Sequence, residues 1–118
     1  MNILLKRTTE APARGDGARV LVDRLWPRGK SKEALKLDLW LRDAAPSTEL
    51  RQWFGHDPAK WAEFRRRYHA ELDANAAALA PLRELLGART VTLLFAAADT
   101  EHNNAVALRE WLLRAHKH

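Results

Sequence analysis

The segment Thr90-Val91-Thr92-Leu93-Leu94-Phe95-Ala96 constrains the fold more than any other part of the chain. It combines high β propensity with nearly continuous hydrophobicity, which is the pattern of a strand covered on both faces. Such a strand lies in the interior of a sheet that has layers packed against both of its faces. The segment therefore predicts the central strand of an α/β sheet.

Two further strands and several helices are predicted around this strand. Ile3 to Thr8 and Ala18 to Asp23 are apolar segments separated by a Pro- and Gly-containing loop. A long helical region then begins where Asp57 can cap and Pro58 can take the first position, with apolar residues at helical spacing at Trp61, Phe64, Tyr68, Leu72 and Leu79. A final helix is predicted from Asn104 to His116. The predicted fold is a small three-layer α/β domain, with a short, mostly parallel three-stranded sheet flanked by helices in the order β-β-α-α-β-α.

Length and composition narrow the class of protein. With 118 residues, 47% apolar and 30% charged, residues 1–118 are expected to form a single α/β domain. No apolar run approaches the roughly 18 residues that cross a bilayer, and without a secretory leader pattern a cytoplasmic location is expected. The sequence has no cysteine, which excludes disulfides, thiolate nucleophiles and Cys-based zinc sites. His116 and His118 are expected to lie in a frayed tail.

Positive charge is concentrated near the N-terminus. Residues 1–36 hold nine Lys and Arg against four acids, whereas the other 82 residues hold eleven of each sign, so the net charge of +5 belongs to the N-terminal third. This excess favours an anionic partner through long-range attraction. Charge alone does not distinguish a small anion from a nucleic acid.

A basic loop, residues 22–32, follows the second predicted strand. Arg24 and Arg28 can each present a planar fork to a phosphate or carboxylate, Lys32 adds a point charge, and Trp26 is the aromatic residue among them. With Lys30 the loop holds four cations, which repel one another unless an anion or acidic side chains compensate them. The alternative to a bound ligand is internal pairing with nearby acids, namely Asp23, Glu33, Asp38 and Asp43.

A second polar loop, residues 98–104, follows the central strand. His102 can exchange protons there and Asn103 can either bind a ligand or cap the last helix. In open α/β sheets ligands bind beyond the carboxyl ends of the strands. If the second and third strands are parallel, both polar loops emerge at one edge and are expected to form a composite site.

Five more residues are candidates for this site or its support. Ser47 has the position of a helix cap, and the alternative is that it helps to bind an anion. His56 can act as a base, as a metal ligand or as a hydrogen-bond donor that fixes its loop. Asp23, Tyr68 and Glu71 are expected to support the site, with Glu71 neutralising an arginine and Tyr68 donating a hydrogen bond.

The chain resembles the YeaO-like branch of a large bacterial family of domains of unknown function, domain 488. The resemblance covers nearly the whole chain and rests on Val22-Asp23-Arg24-Leu25-Trp26-Pro27-Arg28-Gly29, Lys32, Trp40, Ala45-Pro46-Ser47, Leu50-Arg51, Phe54, His56, Phe64, Tyr68, Glu71-Leu72, His102-Asn103 and Ala105. It implies a small cytoplasmic α/β domain without an agreed activity. Longer relatives have a Cys-His-Arg motif after the strand that corresponds to Leu93 to Ala96. This chain has His102-Asn103-Asn104 and no cysteine, so thiol chemistry cannot be carried over to it.

The leading hypothesis is a domain that binds an anionic small molecule, such as a nucleotide, in a cleft at the C-terminal ends of the strands. Enzymatic activity is left open; if there is catalysis, His102 is the predicted acid or base. The alternatives are a nucleic-acid-binding protein that uses the basic N-terminal third, and a protein-interaction module that uses the run Arg65-Arg66-Arg67. No motif for a metal, a P-loop or a nucleophile elbow is present, and no cofactor is expected. The oligomeric state is not predicted.

Overall fold

The computed structural model describes residues 1–116, so the prediction for His118 lies outside the described residues. Its elements in chain order are β1 (Ile3–Arg7), β2 (Ala18–Leu21), α1 (Lys32–Leu35), β3 (Leu39–Trp40), α2 (Thr48–Phe54), α3 (Trp61–Ala74), α4 (Ala80–Ala88), β4 (Val91–Phe95) and α5 (Asn104–His116). Short 3-10 turns at Arg14–Asp16, Arg42–Ala44, Pro58–Lys60 and Ala76–Leu79 connect some of them.

The sheet is parallel and has the strand order β1-β4-β2-β3. Strand β4 pairs with β1 from Ile3↔Val91 to Arg7↔Phe95 and with β2 from Ala18↔Val91 to Leu21↔Leu94. Every residue of β2 and β4 is buried. The α/β class, the parallel sheet flanked by helices and the interior position of the hydrophobic strand are therefore confirmed.

The predicted number of three strands is wrong, because the structure has a fourth. Strand β3 has two residues and pairs with β2 at Val20↔Leu39 and Leu21↔Trp40. Two residues are too few to show an alternating pattern, so this strand leaves no periodic signal in the sequence. Trp40 is the second of these two residues.

The helices pack through the apolar faces that their spacing predicts. Phe64, Tyr68 and Leu72 of α3 are buried, as are Leu108 and Leu112 of α5. Helix α5 has the predicted bounds of Asn104 to His116. Two predicted caps are also present: the Ser47 side chain accepts from the Leu50 N–H (3.2 Å), and that of Asp57 from the Ala59 N–H (3.0 Å).

Part of the basic N-terminal third is neutralised inside the fold. The carboxylate of Asp16, only 4% exposed, accepts bonds from Lys6 Nζ (3.0 Å), from the buried Arg19 and from the Ala13 N–H (3.0 Å). Burial opposes the charge of this carboxylate, but these donors outweigh it and hold the pKa of Asp16 below its ordinary value. Arg7 donates to the carbonyl of Ala97 (3.1 Å). Less of the charge is therefore free for a partner than the sequence suggests.

Candidate functional site

The two polar loops line one cavity of about 710 Å³ at the carboxyl ends of β2 and β4. Because these strands are parallel neighbours, the segments that follow them emerge at the same edge of the sheet. Residues 23–28 form one wall, residues 96–99 and 102–104 form another, and Arg51, Gln52, Phe54 and His56 of α2 and the following turn contribute a third. We refer to this space as the strand-end cavity.

Asp23 holds the elements around the cavity together. Its carboxylate accepts from the Ala96 N–H (2.9 Å) at the end of β4 and from Asn104 Nδ2 (3.0 Å) at the start of α5. Its carbonyl accepts from Trp40 Nε1 (2.8 Å). Burial raises the pKa of Asp23, and the hydrogen bonds from Asn104 and Ala96 offset only part of that rise. These three bonds connect Asp23 to β3, the end of β4 and α5, and its support of a ligand site stays a prediction.

The raised pKa of Asp23 predicts a pH-dependent stability difference from Asp23→Asn. Folding favours the protonated carboxyl, so this contribution to the free energy of unfolding is complete below the ordinary pKa of 3.8 and is lost as pH rises through the higher folded value. Urea denaturation from about pH 3 to about pH 7 measures it. We expect the wild-type protein to lose stability relative to Asp23→Asn across that window.

The comparison isolates Asp23, because the other titrating groups are the same in both proteins. An amide has one acceptor oxygen where the carboxylate has two, and this adds an offset that does not vary with pH. A constant difference between the two curves, or one that changes in the opposite direction, would contradict the assignment.

Arg24 and Arg28 both line the cavity but differ in their contacts. Arg24 donates to the carbonyls of Pro46 (3.2 Å) and Ala45 (3.1 Å), so its guanidinium fastens the loop to the segment before α2. Arg28 is exposed and has no hydrogen bond or ion pair with another described side chain. The internal pairing of these arginines with acids, the alternative to a ligand, does not occur among residues 1–116.

Trp26 is fixed in place beside the cavity. Its Nε1 donates to the carbonyl of Lys30 (2.6 Å), and its ring packs edge-on against Trp40 with 5.3 Å between centroids. The neighbouring Leu25 is 62% exposed, the highest value among the large apolar side chains of the described residues. The loop therefore exposes the apolar side chain of Leu25 at the cavity, next to an indole ring whose position is fixed by two contacts.

Arg51 is a cavity residue that the sequence did not identify as a candidate. It lies on α2, is half-buried and lines the cavity, and no carboxylate of the described residues lies within 4.0 Å of its guanidinium. Its side chain makes no hydrogen bond with another described residue. The one sequence signal was its place among the residues that carry the family resemblance.

His102 is oriented by an aspartate. Its Nδ1 lies 2.9 Å from Asp99 Oδ2, and the ring meets Trp61 edge-on with 5.4 Å between centroids. Asp99 also accepts from the backbone N–H groups of Glu101 (2.9 Å) and His102 (3.0 Å), and these bonds, with the one to the imidazole, lower the pKa of Asp99. A histidine held by a carboxylate in this way can accept or donate a proton at its other nitrogen.

Asn103 has the capping role that the sequence offered as an alternative. Its Oδ1 accepts from the Val106 N–H (3.0 Å) and its Nδ2 donates to the carbonyl of Asp99 (2.9 Å). The residue is 2% exposed. Although it lines the cavity, most of its hydrogen-bonding capacity is used within the fold, and its contact with a ligand stays a prediction.

Two predicted ligand residues lie away from the strand-end cavity. Lys32 is the first residue of α1 and is not part of the lining. Ser47 lines a separate space of about 180 Å³, where its N–H and Oγ donate to Glu71 (2.9 and 2.6 Å). Glu71 thus bonds to the start of α2 rather than to an arginine. Tyr68 donates to the carbonyl of Ala44 (2.6 Å), which fixes the same segment.

His56 lies at the cavity with a left-handed backbone conformation. Its φ is +57°, a value that few side-chain-bearing residues adopt, and its exposed ring lies 6.4 Å from that of Phe54.

Within residues 1–116, no three His, Cys, Asp or Glu side chains are grouped so that they could hold a metal ion. None of the helices in this part of the chain is both long enough and apolar enough to span a membrane.

The cationic side chains on the two surfaces that suggest the alternative functions are also partly engaged in ion pairs and hydrogen bonds. In the arginine run of α3, Arg65 meets Glu110 (3.1 Å), while Arg66 and Arg67 both bind Glu63 and lower its pKa to about 2. In the N-terminal third, Lys6, Arg7, Arg19 and Arg24 all donate to groups of the fold. The run on α3 is thus a paired, solvated helical face.

Comparison with known proteins identifies the relatives of this chain. A family model described as the inactive DUF488-N3 subclade matches residues 2–118. The chain is 42% identical over 112 residues to the uncharacterized protein YeaO of Escherichia coli K12, covering 95% of this chain and 97% of that protein. It is 44% identical over 97 residues to the uncharacterized protein Rv3073c of Mycobacterium tuberculosis H37Rv, covering 82% of this chain and 81% of that protein. No solved structure gives a significant match.

Proposed function

The chain belongs to the YeaO-like DUF488 family, in the subclade described as inactive, and we propose that it binds an anionic small molecule in the strand-end cavity without transforming it. In this proposal Arg28 and Arg51 hold the anion, and His56 and His102 contact the rest of the ligand. Asp23 keeps the walls in position. Residues 1–118 act as a single domain.

The observation that carries the proposal is the pair of guanidinium groups on one cavity, Arg28 and Arg51, without carboxylate partners among the described residues. Guanidinium groups bind carboxylates and phosphates through paired hydrogen bonds. The position at the carboxyl ends of parallel strands favours a ligand site. The N-terminus of α5 at the same place adds a favourable field for negative charge.

The lining favours binding over chemistry. It contains no Ser, Thr, Lys or Tyr side chain among residues 1–116, and the chain has no cysteine. The oxygens of its two carboxylates, Asp23 and Asp99, are occupied by hydrogen bonds. His102 therefore has a proton-transfer geometry without a partner nucleophile from the chain. The classification of the chain in a subclade described as inactive agrees with this proposal.

Arg51→Gln and Arg28→Gln are expected to weaken ligand binding by about tenfold or more each, because a charged hydrogen bond contributes about 1.5–3 kcal/mol. The measurement is a thermal-shift screen of phosphate- and carboxylate-bearing small molecules, followed by calorimetric titration of each hit. A ligand at a hundredfold its Kd should stabilise the wild-type protein by about 2.7 kcal/mol.

Arg14→Gln is the matched control, because it removes the same charge from an exposed arginine that does not line the cavity. It should leave the affinity unchanged. If all three variants weaken binding equally, the attraction is a general effect of net charge, and the proposed site is wrong. Binding that falls steeply with salt in all three would instead favour the nucleic-acid alternative.

A further inference from the structure

We infer that the ligand of the strand-end cavity is an amphipathic monoanion, namely a carboxylate carried on an apolar ring or chain. This inference rests on the proposed function and specifies its ligand class. It distinguishes such a ligand from inorganic phosphate and from nucleoside triphosphates, which are the anions that a basic loop alone would suggest.

The first argument is the balance of charge on the lining. Three arginines, Arg24, Arg28 and Arg51, face two aspartates, Asp23 and Asp99. With neutral histidines the lining therefore has one formal positive charge. A monoanion matches that charge, whereas a triphosphate would bring several negative charges close to two carboxylates that are held at the cavity by hydrogen bonds.

The roles of the arginines support the same conclusion. Arg24 already donates to the carbonyls of Ala45 and Pro46, which leaves Arg28 and Arg51 to contact a ligand. One carboxylate accepts two or more hydrogen bonds and is satisfied by such a pair. No glycine-rich loop of backbone donors, the usual cradle of a polyphosphate, is present in the sequence.

The second argument is the apolar surface on the same cavity. Leu25 is 62% exposed, and Ala96 and Ala98, which line the same cavity, are also exposed. Exposed apolar groups that converge on a cavity gain free energy when an apolar ligand covers them. Trp26 packs against Trp40 and donates to the carbonyl of Lys30. These contacts fix the loop that carries Leu25 before any ligand binds.

The experiment compares ligand classes on the full chain. The probes are phenyl, naphthyl and medium-chain alkyl monocarboxylates, the neutral amides of the same compounds, inorganic phosphate and adenosine triphosphate. Binding is followed by calorimetry and by the NMR signals of the Trp26 indole N–H and of Ala96 and Ala98. At least one monocarboxylate should bind at least tenfold more tightly than phosphate, adenosine triphosphate and its own amide.

Leu25→Ser tests the apolar half of the inference and Arg51→Gln tests the anionic half. Leu25 is largely exposed, so its replacement should leave the fold intact while weakening the monocarboxylate about tenfold. If phosphate or adenosine triphosphate binds more tightly than every monocarboxylate and depends on Arg51, the proposed function holds and this inference is overturned. If no probe shows Arg51-dependent binding, the proposed function fails together with the inference. Equal binding of acid and amide would overturn the anionic half.

Discussion

Asp16→Ala is expected to destabilise the protein by about 3–5 kcal/mol, the range for removing one partner from a buried ion pair. The carboxylate lies between Lys6 and Arg19, and it also accepts from the Ala13 N–H. Arg19 is 4% exposed, and its Nη2 has no partner among the described residues. Without Asp16, a buried guanidinium would keep one hydrogen bond, from Nε to the carbonyl of Leu35 (2.8 Å). Urea denaturation near neutral pH measures the loss.

Asp38→Ala is the matched control for Asp16→Ala. Asp38 is an exposed carboxylate that accepts one bond from the Arg19 N–H (2.8 Å), so its loss should cost about 1 kcal/mol. Each variant therefore removes a carboxylate that accepts a hydrogen bond from Arg19. Asp16 accepts from the guanidinium, and Asp38 accepts from the backbone N–H. Equal losses in the two variants would show that Asp16 is not the centre of a buried charge cluster.

The pH dependence gives a second check on Asp16. Its folded pKa is lowered, so its contribution to stability is complete above the ordinary value of 3.8 and is lost as pH falls through the lower folded value. Asp23 has the opposite sign, because its contribution is lost as pH rises. On acidification the stability difference between the wild type and Asp16→Ala should therefore narrow, whereas the wild type should gain stability relative to Asp23→Asn.

The positive charges around the sheet have two different roles. Lys6 of β1 and Arg19 of β2 both form ion pairs with Asp16, and these pairs hold the two strands to the loop between them. At the carboxyl ends, Arg28 and Arg51 have no acidic partner among the described residues. Part of the positive charge in the N-terminal third therefore stabilises the fold, and only the remainder is available to a ligand.

Most of the fold was predictable because it follows from periodicity and local chemistry. The hydrophobic run of β4, the apolar faces of α3 and α5 and the Ser47 cap are all local patterns, and the structure confirms them. Strand β3 was missed because its two residues depend on pairing with β2, a long-range contact without a local pattern. Tertiary pairing of this kind cannot be deduced from the segment itself.

The site was less predictable than the fold because hydrogen-bond partners are set by tertiary packing. Parallel strands explain why the loops after β2 and β4 share a cavity. Nothing local, however, indicates that Arg24 binds two carbonyls, that Glu71 holds Ser47 or that Arg51 of α2 faces the same space. The residue types were informative, whereas the division between structural and ligand-facing roles required the fold.

Gly17→Ala is expected to destabilise the protein by about 3 kcal/mol or more, by two mechanisms that act together. Gly17 has φ +64° and ψ −136°, a conformation almost restricted to glycine, which costs other residues about 1–3 kcal/mol. A Cβ at this position would also overlap the backbone carbonyl of Thr90. That carbonyl accepts from the Ala18 N–H (2.9 Å) where β2 meets β4, so relieving the overlap would pull the two strands apart.

Gly29→Ala separates the two mechanisms, because Gly29 has φ +74° but no atom within 4 Å of an added Cβ. The substitution should therefore cost only the conformational term, about 1 kcal/mol. Chemical denaturation of both variants gives the difference, which contains the contribution of the close approach between Gly17 and Thr90. If Gly17→Ala costs no more than Gly29→Ala, the strands accommodate the methyl group and the packing of β2 against β4 is looser than described. A large loss at Gly17 with a small one at Gly29 would show that the amino end of the sheet tolerates no added volume, whereas the loop beside the strand-end cavity does.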